Sequence, residues 1–146
     1  MPTPLLIFVL NGPNLNLLGT REPAVYGSDT LDDIAAALSS RADELGVALD
    51  IRQSNHEGHL IDWLHEAQAT GATAAILNAG GYSHTSVALH DAIKAIATPV
   101  IAVHLTDPLS RESFRHHDFV ALAASEVITG HGPQGYLRAL DAAARL

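Results

Sequence analysis

Three short and almost wholly apolar runs constrain this chain most: residues 5–10 (LLIFVL), 73–77 (TAAIL) and 100–105 (VIAVHL). Runs of strand length without polar alternation are what a strand covered on both faces requires. Between them the apolar spacing becomes helical. Leu31, Ile34, Ala35, Leu38, Ala42 and Leu45 recur every three or four positions, with Asp29 or Thr30 where an N-cap belongs and Gly46 as the stop. Leu60, Trp63, Leu64 and Ala67 mark a second helix that stops near Gly71. A third spans residues 87–97, with Thr85 or Ser86 to cap it and Pro99 to block its continuation. The last spans residues 134–145 and turns Tyr136, Leu137, Leu140 and Ala144 inward. Val47, Leu49 and Ile51 form one further strand and residues 127–129 another. Strands alternating with helices give a parallel sheet flanked on both sides, because right-handed crossovers place the helices there. The expectation is a five-stranded, doubly wound α/β fold.

At 146 residues the chain is long enough to bury such a sheet as one domain, residues 1–146, with no linker or repeat to divide it. A net charge of -8 and eight scattered Lys and Arg exclude a phosphate-backbone binder, so nucleic acid is not an expected partner. Without cysteine there is neither a disulfide framework nor thiol chemistry. The run LLIFVL is six residues long, lies between Pro4 and Pro13 and lacks a basic flank. It therefore reads as a core strand rather than a signal peptide or membrane span, and the expected location is the cytoplasm.

After the first strand, residues 11–27 (NGPNLNLLGTREPAVYG) show no helical period and are punctuated by Pro13, Gly19, Pro23 and Gly27. A structureless connection of this length in a compact domain is characteristically a lid or a binding loop. Other polar clusters follow the remaining strands: Asn55 and His56, residues 78–84, and His104 to Asp107. In an open α/β sheet such loops converge outside the carboxyl ends of the strands. One cleft would then collect Asn11, Asn14, Asn78 and His104.

Each of these residues also has a plain structural reading. Gly80-Gly81 is a tight turn or a close approach to a ligand, and His84 and Asp91 are ordinary surface residues or site residues. His104 stands within an apolar run, where a buried polar group must find a partner, so it is a satisfied core histidine or a functional one. Nine histidines raise the question of a metal, yet no HExxH is present, and the pairs His56/His59 and His116-His117 lack the remaining ligands of a zinc set. No metal is expected. Dinucleotide, P-loop and serine-hydrolase signatures are missing as well. Acid and base work is left to Tyr26 and His104, with Arg21, Arg111 and Arg115 as cations. A tyrosine is a poor base at neutral pH unless a positive neighbour stabilises its phenolate, and Arg21 in the same loop can be that neighbour. Arg111 and Arg115, four residues apart, would clamp a carboxylate if their segment is helical.

Taken together, NGPNLNLLGTREPAVYG, QSNHEGHLIDWLHEA, ILNAGGYSHTSVALHDA, PVIAVHL, RESFRHH and GxGPQGYLRAL resemble the type II 3-dehydroquinate dehydratases over nearly the whole chain. The resemblance implies a flavodoxin-like fold and a homododecamer built from trimers. It further implies conversion of 3-dehydroquinate to 3-dehydroshikimate without metal or cofactor, in shikimate biosynthesis of aromatic amino acids or in quinate breakdown. In that family the residue matching Tyr26 removes a proton beside the ketone, the residue matching Arg21 stabilises its phenolate, and the residue matching His104 protonates the departing hydroxyl. Those matching Asn78, His84, Leu105, Thr106 and Arg115 hold the substrate, Arg115 toward its carboxylate. The position of Asp91 reaches a neighbouring subunit's site, and Asn14 and Arg111 lie in or beside their own.

The chain also departs from the family pattern. Ala102 stands where a glutamate is usual, two residues before His104 and on the same face of the strand. LTDPLSR replaces a serine-asparagine continuation, and Ala79 a common proline. The expectation from Ala102 is an acid weakened by the loss of its carboxylate partner, improved by Ala102→Glu. Its extreme form is a protein that keeps the cleft as a binding module or scaffold and has lost turnover.

Overall fold

The computed structural model describes residues 4–20 and 22–146. Its strands are β1 (Leu6–Asn11), β2 (Ala48–Gln53), β3 (Ala74–Asn78), β4 (Val100–His104) and β5 (Glu126–Thr129). They form one all-parallel sheet in the order β2-β1-β3-β4-β5, the flavodoxin-like arrangement. Six helices accompany it: α1 (Pro23–Tyr26), α2 (Leu31–Leu45), α3 (Glu57–Ala69), α4 (Val87–Ala95), α5 (Phe119–Ala123) and α6 (Gln134–Ala144).

Strand alternation divides the core in two. Ile7, Val9, Ala74, Ile76, Ile101 and Val103 face Ile34 and Leu38 of α2 and Tyr136 and Leu140 of α6. Phe8, Leu10, Ala75, Leu77, Val100 and Ala102 face the other way, toward Leu60 and Leu64 of α3, Leu89 and Ile93 of α4 and Val120 of α5. Burial on both faces is why the central strands read as unbroken apolar runs. Each fully buried Leu or Ile contributes about 1.5–3 kcal/mol. The same alternation decides where the polar strand ends point: residues 11 and 78 toward α6, and residue 104 toward α5.

Capping resolves the alternatives left by the sequence. Thr30 caps α2 in a reciprocal box with Asp33, and Ser86 caps α4 through the Leu89 amide. The third helix is shorter than its spacing predicts, ending at Ala95, since Ile96 turns extended and packs into the core ahead of Pro99. On α6 the buried small residues are Ala139, Ala142 and Ala143, whereas Ala144 is only partly covered. The connection after β1 is not structureless as expected. It contains a 3-10 turn (Leu15–Leu17) that buries Leu15 and, beyond it, the single turn α1, which Pro23 opens at its first position. Helix α5 has no counterpart in the sequence reading, because five residues are too few to display a period.

Candidate active site

Where the strand order reverses, a cleft of about 460 Å³ opens outside the carboxyl ends of the central strands. Asn78 at the end of β3 forms its floor, whereas Asn11 at the end of β1 is wholly buried and does not line it, contrary to the expectation from the sequence. Asn11 and Asn78 are register partners and point to the same side, where the Tyr136 hydroxyl stands between them. Asn78 Nδ2 donates to that hydroxyl at 2.9 Å, and the hydroxyl donates to Asn11 Oδ1 at 2.7 Å. Asn11 Nδ2 continues to the Arg52 carbonyl at 3.1 Å, and Asn78 Oδ1 accepts the Gly80 amide at 3.2 Å. Burial pushes the Tyr136 hydroxyl well above the usual tyrosine range, the Asn78 hydrogen bond opposing only in part. It remains neutral and can donate and accept at once.

The loops after β1 and β3 touch directly. A Cβ on Gly12 would lie 2.5 Å from the Ala79 carbonyl oxygen, so only glycine permits this approach. Asn14 adopts a left-handed conformation with φ 69°, and its amide donates to Asn55 Oδ1 at 3.0 Å.

On the β4 side, His104 is buried and its Nε2 lies 2.6 Å from Asp118 Oδ2. The other Asp118 oxygen caps α5, accepting the Ala121 amide at 2.9 Å. Burial alone would raise the Asp118 carboxyl. The hydrogen bonds from His104 and Ala121 outweigh it, with the His104 and His84 rings adding, and hold the group below its ordinary value. The His84 ring stacks on His104 at 6.1 Å between centroids, its Nδ1 donating to the His117 carbonyl at 2.6 Å.

The rim carries the cations. Arg111 Nη1 donates to the Tyr26 hydroxyl oxygen and to Thr106 Oγ1, both at 3.3 Å. The bond to Tyr26 raises the Arg111 guanidinium above its ordinary value against the opposing effect of burial. Arg115 Nε donates to Glu112 at 2.6 Å. Arg111 itself is extended, between the 3-10 turns Pro108–Ser110 and Ser113–Arg115. The two arginines therefore do not share a helical face, the condition set for a clamp. They reach the cleft from different turns.

Nine of the expected site residues line this one cleft: Asn14, Tyr26, Asn78, His84, His104, Leu105, Thr106, Arg111 and Arg115. Arg21 lies outside the described residues. Asp91 is elsewhere, on α4, with its side chain 71% exposed and accepting from His90 Nδ1 at 3.0 Å. Among the described residues, no three His, Asp or Glu side chains gather where they could hold a metal ion. Sequence reasoning missed Asp118, although two signals pointed to it. An aspartate directly before the apolar FVALA is a helix cap, and a buried histidine needs a partner. It placed Tyr136 on an inner face without seeing what its hydroxyl does.

A sequence model described as dehydroquinase class II matches residues 5–144. The chain belongs to that family. Among dehydroquinases, a 3-dehydroquinate dehydratase of Caulobacter vibrioides is 54% identical over 137 residues, covering 94% of this chain and 93% of that protein. Another from Rhizobium johnstonii is 56% identical over 136 residues, covering 93% of each. A crystal structure of a type II dehydroquinase from Butyrivibrio crossotus superposes with a TM-score of 0.95 at 34% identity, over 97% of this chain and 99% of that one. The unusual LTDPLSR of this dehydroquinase builds an ordered turn. Asp107 Oδ1 accepts the Leu109 amide at 3.0 Å and caps Pro108–Ser110, after which Arg111 reaches Tyr26.

Proposed function

We propose that this dehydroquinase is a hydro-lyase that removes water from 3-dehydroquinate to give 3-dehydroshikimate through an enolate, with Tyr26 as base and His104 as acid. Beta-elimination from a hydroxy ketone needs a base beside the carbonyl, an acid at the departing hydroxyl and donors for the enolate oxygen. The observation that carries the reading is that one cleft collects a phenol and an imidazole, each held by a charged partner. Arg111 donates to Tyr26, and Asp118 faces His104.

In this reading the Tyr26 phenolate takes the proton alpha to the ketone, and the C–H electron pair becomes the enolate. Arg21 and Arg111 stabilise the phenolate, and the amides of the Asn78 loop receive the enolate oxygen. When the ketone re-forms, the carbon–oxygen bond of the departing hydroxyl breaks and His104 protonates it, releasing water. Arg115 takes the substrate carboxylate, while Asn14, His84, Leu105 and Thr106 hold the ring. The segment after β1 that carries Tyr26 covers the bound substrate and excludes water. Neither metal nor cofactor enters a step. In a dodecamer of trimers, exposed Asp91 would serve the neighbouring subunit's site, and the reaction would run in the cytoplasm in aromatic biosynthesis or quinate breakdown. Among the described residues, no helix is long and apolar enough to cross a membrane. The scaffold alternative rested on Ala102, and the carboxylate of Asp118 at His104 removes its motive.

The test is direct. Mixed with 3-dehydroquinate, the protein should generate the ultraviolet absorbance of a conjugated enone at the same rate with and without chelator. A folded protein giving no absorbance change would sink the reading.

A further inference from the structure

Among the described residues His104 is hydrogen-bonded at one ring nitrogen only, while the His84 ring stacks on it. The His104 Nε2 is 2.6 Å from Asp118 Oδ2, and Asp118 is itself fixed by capping α5 with Oδ1. The two side chains are 9% and 15% exposed. An ionised carboxylate accepts and cannot donate, so Nε2 must carry a hydrogen. Among the described residues, Ser83 Oγ is the single buried side-chain nitrogen or oxygen that lacks a partner. His104 Nδ1, which makes no hydrogen bond among them, is therefore open, and the space that His104 borders is the cleft. Strand β4 offers no carboxylate of its own, because Ala102 presents only a methyl group to the core that contains Val120. The carboxylate arrives from the next helix instead.

We propose that Asp118 is the positioning residue of the acid: it holds His104 with a hydrogen on Nε2 and so selects Nδ1 as the nitrogen that protonates the departing hydroxyl. This rests on the reading of His104 as the acid. In the acid form both nitrogens carry hydrogen. The Nδ1 proton passes to the hydroxyl oxygen as the carbon–oxygen bond breaks and its electron pair stays with oxygen. Water leaves, and the ring becomes the neutral tautomer that Asp118 already holds. No heavy atom of the pair has to move.

Two substitutions separate positioning from helix capping. Serine is a good N-cap but too short to reach the ring, so Asp118→Ser keeps α5 and frees His104. Asp118→Asn keeps the cap through its single oxygen and turns its amide nitrogen, a donor, toward Nε2. With nitrogen-15 in the histidines of the ligand-free protein, the neutral His104 ring should show Nε2 as the protonated nitrogen in the wild type and Nδ1 in Asp118→Asn. Asp118→Ser should show a mixture of tautomers. With 3-dehydroquinate, kcat of Asp118→Ser should fall by about 10-fold or more, KM should stay within about twofold, and kcat of Asp118→Asn should fall at least as far. A wild-type tautomer in Asp118→Ser, or an unchanged kcat, would overturn the proposal. If the wild type itself turned over no substrate, the functional reading would fail while the tautomer measurement still decided what Asp118 does.

Discussion

The two faces of the sheet solve the same problem at their carboxyl edge in opposite ways. Toward α6, Asn11 and Asn78 end their strands buried, and the Tyr136 hydroxyl satisfies both without any charge. Toward α5, His104 ends β4 equally buried, and its partner is a carboxylate. A neutral, fully bonded network is cheaper to bury than a charge, and it does not change with pH. A buried carboxylate is justified where a proton must move. On the proposed mechanism, proton transfer falls to the α5 face and base chemistry to the half-buried rim where Arg111 meets Tyr26, while the Tyr136 network of the α6 face holds the strand ends. Substitutions on the three should therefore fail differently.

Tyr26→Phe carries the largest expected effect. The ring, which is partly buried against the core cluster of the α6 face, still packs there, but the oxygen proposed to take the proton is gone. Loss of a general base costs about 10²–10⁴-fold, so kcat should fall by roughly 10³, about 4 kcal/mol of barrier, with the melting temperature within a degree or two of wild type. Substrate should still raise that temperature. Near-normal turnover by the phenylalanine variant would remove the base from the rim.

Ala102→Glu comes next and sharpens the α5 side. Read from the sequence alone, it restores a missing carboxylate and should speed the reaction. The structure reverses the sign of that expectation. Ala102 is 1% exposed within an apolar cluster, and His104 already has its carboxylate in Asp118. A second one would be buried without a cation of its own, at a cost on the order of 3 kcal/mol in stability. Denaturant unfolding should show that loss, with no gain in kcat. A faster, equally stable variant would mean that Asp118 does not complete the acid.

These cases mark what the residues alone could disclose. The sheet was legible because its strands are covered on both faces and its helices are long enough to show a period. Asn14, Asn78, His84, His104, Leu105 and Thr106 were legible because polar clusters follow strand ends, and strand ends in this topology converge, whereas Tyr26, Arg111 and Arg115 were legible as acid, base and cation candidates and through the family resemblance. Helix α5 was not legible at five residues, and its cap Asp118 disappeared with it. Its contact with His104 spans fourteen positions and two 3-10 turns, so no local spacing encodes it. The Tyr136–Asn11 bond, across 125 positions, is hidden for the same reason. The clamp expected of Arg111 and Arg115 failed because Pro108 and the Asp107 cap start a different turn, leaving Arg111 extended.

Tyr136→Phe tests the α6 face and is the smallest effect of the three. The ring is fully buried and phenylalanine fills nearly the same volume, so packing is retained. What disappears is one oxygen that serves two partners. Asn78 Nδ2 loses its acceptor and Asn11 Oδ1 a donor, in a place that water does not readily reach. Leaving a buried polar group unpaired costs about 1–3 kcal/mol, and the two asparagines can recover part of it by bonding to each other across the register they share. A net loss of about 2 kcal/mol is expected, read as a fall of several degrees in melting temperature. Below the new melting point kcat should stay within about threefold of wild type, because nothing on this face titrates during the reaction. A large fall in kcat with stability intact would break the division between the faces and make the floor part of the chemistry.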